Sequence, residues 1–179
     1  MTVGSGTSGS GGLVQAHAGR STVHTGGEVH VSSGEGTATS SGAITIRSVN
    51  AGAAGTSGYL SFSSGSSVTG NSGYIHMGTG VATAGRGGMV LISVGSGTSS
   101  VGGMVQAHAG RSTVHTGGAV VVTSGEGTAT SSGVVLIRSS NSGEAGVSGS
   151  LLFSSGTSVT GNSGRVHMGT GAATAGRGG

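Results

Sequence analysis

The chain has 179 residues, of which 43 are glycine, and it contains no proline, cysteine or tryptophan. Only 6% of the residues are charged, and the formal net charge is +3 with histidine neutral. This composition is unlike that of a globular enzyme and closer to that of a flexible linker. No apolar run exceeds four residues, which excludes a membrane-spanning segment on sequence grounds.

A glycine recurs from one end of the chain to the other every fifteen residues, with two intervals of sixteen. We call these the phase glycines and number each repeat from its phase glycine; they are Gly12, Gly27, Gly42, Gly58, Gly73, Gly88, Gly103, Gly118, Gly133, Gly149, Gly164 and Gly179. A period this short predicts a solenoid in which each repeat is one coil stacked on its neighbours.

The apolar residues keep the same phase as the glycines. The third position of successive repeats is always aliphatic: Val14, Val29, Ile44, Leu60, Ile75, Val90, Val105, Val120, Val135, Leu151 and Val166. The fifth position is also apolar throughout, as Val31 and Ile46 illustrate. Two apolar residues separated by one residue predict a short strand with both side chains facing inward.

The eighth position is glycine in most repeats and asparagine in the two longer ones, Asn50 and Asn141. Both residues tolerate a left-handed backbone, so we expect the chain to turn a corner there, for example at Gly34. Small residues fill the returning half. The predicted fold is therefore all-β, a flattened β-solenoid (β-helix) of about twelve 15–16-residue coils with two short strands per coil and about 4.8 Å between coils.

A longer repeat of 91 residues lies over the short one. Residues 1–88 are identical to residues 92–179 at 67 of 88 positions. We therefore expect one continuous solenoid over residues 1–179, built from two near-identical blocks, 1–91 and 92–179.

Catalysis is not expected, because the chain has no aspartate, lysine or cysteine and its four carboxylates are dispersed. Histidines of one repeat straddle the predicted corner, as His17 and His24 do, so we expect no metal site and no cofactor. The sequence pI is near 10.7, but the arginines are dispersed and aromatic residues are scarce, which argues against a nucleic-acid partner.

The outward-facing second and fourth positions become unexpectedly apolar from the sixth repeat onward. We call these residues the apolar stripe: Met89, Leu91, Met104, Val121, Val134, Leu136 and Leu152. A contiguous exposed apolar patch is typical of an interface, although β-forming residues on a sheet surface could produce the same pattern. We expect the stripe to mediate self-association.

The segments "SGEGTATSSGAITI" and "SSGSSVTGNSGYIHMGTG", with their second copies, resemble the Gly/Ser/Thr-rich tandem-repeat β-solenoid proteins of microbial and algal cell surfaces. The resemblance implies an extracellular or cell-surface structural role. The expected function is a homopolymer, a fibre or surface layer made by end-to-end stacking of solenoids and lateral packing of the stripe. Carbohydrate, bound or O-linked, is a further expected partner.

An alternative is ice binding, because the 15-residue repeat and its threonine columns also resemble insect-type ice-binding solenoids. The residues of that face would be Thr22, Thr37, Thr39, Thr83, Thr98, Thr113, Thr128, Thr130 and Thr174. The Thr-x-Thr motif is complete in only two repeats, however, which interrupts the array. A surface adhesin is the remaining alternative.

Overall fold

The computed structural model of the protein describes residues 2–179, and over this range the backbone forms neither a helix nor a strand. The predicted all-β solenoid of twelve coils with two short strands per coil is therefore wrong. The chain is irregular, with one bend or turn in each repeat.

The hydrogen bonds explain why no β-solenoid forms. A coil of a solenoid pairs with residues about fifteen positions away, whereas the backbone hydrogen bonds of residues 2–179 join residues that are either eight or three positions apart. Within that range, no residue is therefore hydrogen-bonded through its backbone to the residue at the same position of the next repeat. Glycine, which makes up much of each repeat, weakens strands because it has no side chain to pack and a large conformational entropy to lose.

Five segments of the described chain instead close into loops, each between an eighth-position glycine and the phase glycine that follows it. In five repeats the amide of a phase glycine donates to the carbonyl of the eighth-position glycine before it, as in Gly27 to Gly19 at 2.8 Å and Gly118 to Gly110 at 2.9 Å. The seven residues between the two glycines form the loop. We call the paired glycines the neck.

Close approach at the neck accounts for the phase glycines. A Cβ added to Gly133 would lie 3.3 Å from the Cβ of Ser124, nine residues earlier, and one added to Gly118 would lie 3.2 Å from the amide nitrogen of Gly110. No glycine among residues 2–179 has a positive φ. The expectation that glycine supplies a left-handed corner at the eighth position is therefore wrong. The close approach requires a small residue at the phase position, whereas nothing lies within 4 Å of a Cβ added to eighth-position glycines such as Gly110.

The chain reverses direction further into the loop. Three-residue bends occupy 7–9, 22–24, 37–39, 68–70, 83–85, 98–100, 113–115, 128–130, 159–161 and 174–176, and the two longer repeats have turns at 53–54 and 144–145. In four loops a serine stabilises the bend: the Ser112 hydroxyl accepts the amide of His115 at 2.9 Å, and Ser67 does the same for Gly70. This is the usual way in which serine favours turns.

The chain divides into two units, Met1–Val90 and Leu91–Gly179. The division lies one residue before the boundary between the two 91-residue blocks. Every bend in the second unit occurs 91 residues after a bend in the first, so the sequence duplication is also a duplication of local conformation.

The described residues contain no hydrophobic core. None of residues 2–179 is buried, and only Gly36, Gly127 and Ser139 are half-buried. The chain exposes 17821 Å², whereas a folded monomer of 16.6 kDa would expose about 7,600 Å² and its unfolded chain about 24,000 Å². No helix in the described part of the chain is long and apolar enough to cross a membrane.

Candidate functional site

The third-position residues, predicted to face the interior, are the most sheltered regular column of large apolar side chains. Their exposure runs from 45% at Val135 to 62% at Val105. An extended segment turns alternate side chains to opposite sides, and the column shows the remnant of that alternation. About half of each side chain nevertheless remains in contact with water.

The apolar stripe is more exposed than the third-position column. Exposure within it ranges from 71% at Met104 to 86% at Val134 and Leu152. The second and fourth positions of one repeat do share a side, because the Gln106 side-chain nitrogen donates to the Met104 sulfur at 3.3 Å. Each side chain of the stripe is therefore accessible to other molecules.

Within residues 2–179, hydrogen bonds do not bring distant repeats into one site. Every hydrogen bond within residues 2–179 joins residues no more than nine positions apart, the longest being the Thr79 hydroxyl to the Gly88 carbonyl at 3.4 Å. Each repeat thus presents its own set of side chains. A larger surface would arise from repetition of that set and from contact with other molecules.

The two units present different surfaces at the fourth position. His30, Thr45 and Ser61 in the first unit correspond to Val121, Leu136 and Leu152 in the second. The second unit has therefore replaced polar side chains with aliphatic ones at three equivalent places, and each of those aliphatic side chains is exposed.

The threonines of the alternative ice-binding face lie at the bends. Seven threonines of the set, among them Thr22 and Thr113, begin a three-residue bend. The other two, Thr39 and Thr130, end one. All of them are exposed. The sequence placed these residues on a flat returning strand, but the structure places them at loop tips, where no strand fixes their spacing.

Titratable residues form no cluster in the described chain. Among residues 2–179 no three histidine, cysteine, aspartate or glutamate side chains are close enough to hold a metal ion. A depression lined by Arg138, Ser139, Ser140 and Asn141 is formed by four consecutive residues. It holds no pair of groups that could exchange a proton with a substrate.

Two features of the site were missed at the level of sequence. The neck was missed because the regular spacing shows where the phase glycines recur but not that their hydrogen-bond partner is the eighth-position glycine. The serine that stabilises four of the bends had a signal, because Ser21, Ser67, Ser112 and Ser158 share the tenth position of their repeats.

No family model, curated protein or solved structure matches the chain.

Proposed function

We propose that this protein is a structural repeat protein that works by self-association rather than by catalysis. One observation carries the proposal: none of residues 2–179 is buried, while some forty large apolar side chains are exposed. Burial of apolar surface is the main favourable term in folding and association. A single copy buries little apolar surface, and contact with further copies would bury more of it.

The composition supports association over permanent disorder. Chains that stay disordered in solution combine low hydrophobicity with a high net charge. Here the mean hydropathy is +0.16, and only 6% of residues are charged. Charge repulsion is therefore weak, and exposed aliphatic residues with little charge favour contact between copies. The product would be a fibre or a layer outside the cell.

The stripe is the surface we expect copies to share, and the chain itself provides the test. Leu136→Thr and Leu152→Ser install the residues that the first unit already carries at the equivalent positions, so both changes suit the local backbone. We expect the double variant to need a several-fold higher protein concentration to assemble, because each lost aliphatic contact removes about 1 kcal/mol or more. Sedimentation velocity over a concentration series, followed by negative-stain electron microscopy, measures the effect.

Val147→Thr is the matched control. Val147 is 97% exposed and lies in the second unit outside the stripe, and threonine occupies the equivalent position, Thr56. The control removes an exposed aliphatic side chain without touching the stripe. Equal loss of assembly in both variants would show that general hydrophobicity drives association, and a wild-type chain that stays monomeric at every concentration would refute the proposed function.

Ice binding is the second candidate, and the location of the threonines at the same point of successive bends favours it. Exposed threonine methyl and hydroxyl groups repeated at one phase could order water. This candidate predicts that dilute, unassembled protein arrests ice-crystal growth and that Thr37→Lys with Thr128→Lys reduces the arrest. If the protein leaves the rate of ice-crystal growth unchanged, the ice-binding candidate is refuted.

A further inference from the structure

We propose that Tyr59 and Tyr74 form a platform on which a neutral polysaccharide stacks. They are the only two tyrosines in a chain without tryptophan. Both occupy the second position of their repeats, in consecutive repeats of the first unit. This binding role is separate from the self-association proposed above.

Both rings are presented to solvent from equivalent places on the backbone. Tyr59 is 90% exposed and Tyr74 is 89% exposed. Each follows a phase glycine held close to an earlier serine: a Cβ on Gly58 would lie 3.5 Å from the Cβ of Ser48, and one on Gly73 would lie 3.4 Å from that of Ser64. Neither glycine forms a neck, and the two rings project from equivalent second positions, each next to a close approach between a phase glycine and a serine.

The surroundings of the pair select an uncharged ligand. Residues 48–85 contain no arginine, lysine, aspartate or glutamate, which makes this the longest uncharged stretch of the chain; His76 is its one titratable side chain besides the tyrosines. An anionic polymer such as nucleic acid would find no guanidinium or ammonium group to pair with there. The same residues of the second unit include Glu144 and Arg165.

Neutral sugars can make the two kinds of contact that residues 48–85 provide, stacking on an aromatic ring and hydrogen bonds to uncharged polar groups. A pyranose ring with equatorial hydroxyls has apolar C–H faces that pack on an aromatic ring, and its hydroxyls exchange hydrogen bonds with hydroxyl and amide groups. Ser61, Ser63, Asn71 and Ser72 lie within a few residues of the tyrosines and are all exposed. Two rings on consecutive repeats suit a linear polymer, which can span both.

The second unit gives this proposal its matched variants. Ser150 and Arg165 occupy the positions equivalent to Tyr59 and Tyr74. Tyr59→Ser with Tyr74→Arg should weaken binding about tenfold without disturbing a backbone that already accepts those residues. Tyr59→Phe with Tyr74→Phe keeps both ring faces and should retain binding. Ser150→Tyr with Arg165→Tyr should raise the amount of polysaccharide bound at saturation.

The experiment is depletion of the full chain from solution by insoluble cellulose and chitin, with heparin–agarose as the charged comparison. We expect saturable binding to at least one neutral polymer and about a tenfold weaker association for the Ser/Arg variant, since two aromatic contacts are lost. Failure to bind both neutral polymers, or unchanged binding by the Ser/Arg variant, overturns the proposal. Preferential, salt-sensitive retention on heparin also overturns it, because the arginines would then carry the contact.

Tyrosine emission provides an independent readout, because these two residues are the only source of it apart from the weakly emitting phenylalanines. Soluble cellohexaose should change the emission along a saturation curve in the wild-type chain at a protein concentration below assembly. A change that follows protein concentration and ignores the sugar would mean that a second copy covers the pair, and would refute the polysaccharide site.

Discussion

Glycine at the phase position illustrates how one residue type can serve two purposes that a sequence does not distinguish. Glycine tolerates a left-handed backbone, and it also allows two segments to approach closely. We expected the first use at the eighth position, but no described glycine has a positive φ. The second use occurs at the phase glycines, which lie against residues nine or ten positions earlier. The position was predictable from sequence, but the cause was not.

Gly118→Ala tests this reading at one neck. The added Cβ would lie 3.2 Å from the Gly110 nitrogen and 3.4 Å from the Ala109 Cβ, so the bond from the residue 118 amide to the Gly110 carbonyl should lengthen. Losing about 1 kcal/mol from that bond accelerates amide exchange at residue 118 about fivefold, which NMR can measure. Gly110→Ala in the same loop is the control, since nothing lies within 4 Å of its Cβ; equal effects of the two changes would contradict the account.

At the scale of the loop, sequence periodicity located the repeat correctly and its turning point incorrectly. The expected corner at Gly34 is part of a neck, and the chain bends at 37–39. Alternation of side chains along the extended segment was predicted, and the contact between Met104 and Gln106 agrees with it. What spacing could not supply is the hydrogen-bond partner. A period of fifteen fits pairing between equivalent residues of successive repeats, yet the longest backbone hydrogen bonds of the described chain span only eight residues.

The serine at the tenth position should control the bend that follows it. Ser112→Ala removes the acceptor of the His115 amide, 2.9 Å away, and of the Val114 amide, 3.4 Å away. We expect the His115 amide to exchange several-fold faster, in keeping with the loss of about 1 kcal/mol. Ser112→Thr retains a hydroxyl and should preserve the wild-type rate. An unchanged rate in Ser112→Ala would show that the backbone alone holds the bend.

At the scale of the whole molecule, the sequence predicted the columns of apolar residues but did not predict that the described residues would form no core. The columns of aliphatic residues were visible, and burial was inferred from their regularity. Each fifteen-residue repeat has only about two large apolar residues at these positions, set among glycine and serine. They are too few to cover one another, so even Val135, in the most sheltered column, is 45% exposed. The stripe residues are exposed, as are the other large apolar residues of the described chain, and their role in association stays a prediction.

Hydrogen exchange followed by mass spectrometry across a dilution series tests the central claim, that order in this protein comes from contact between copies. In dilute solution most backbone amides should exchange at nearly the unprotected rate, because no core covers them and the few hydrogen bonds lie at the surface. Protection should appear as the concentration rises, first in the segments that carry Leu136 and Leu152. Strong protection that is independent of concentration would show that a single copy folds around its own core, and would contradict the account.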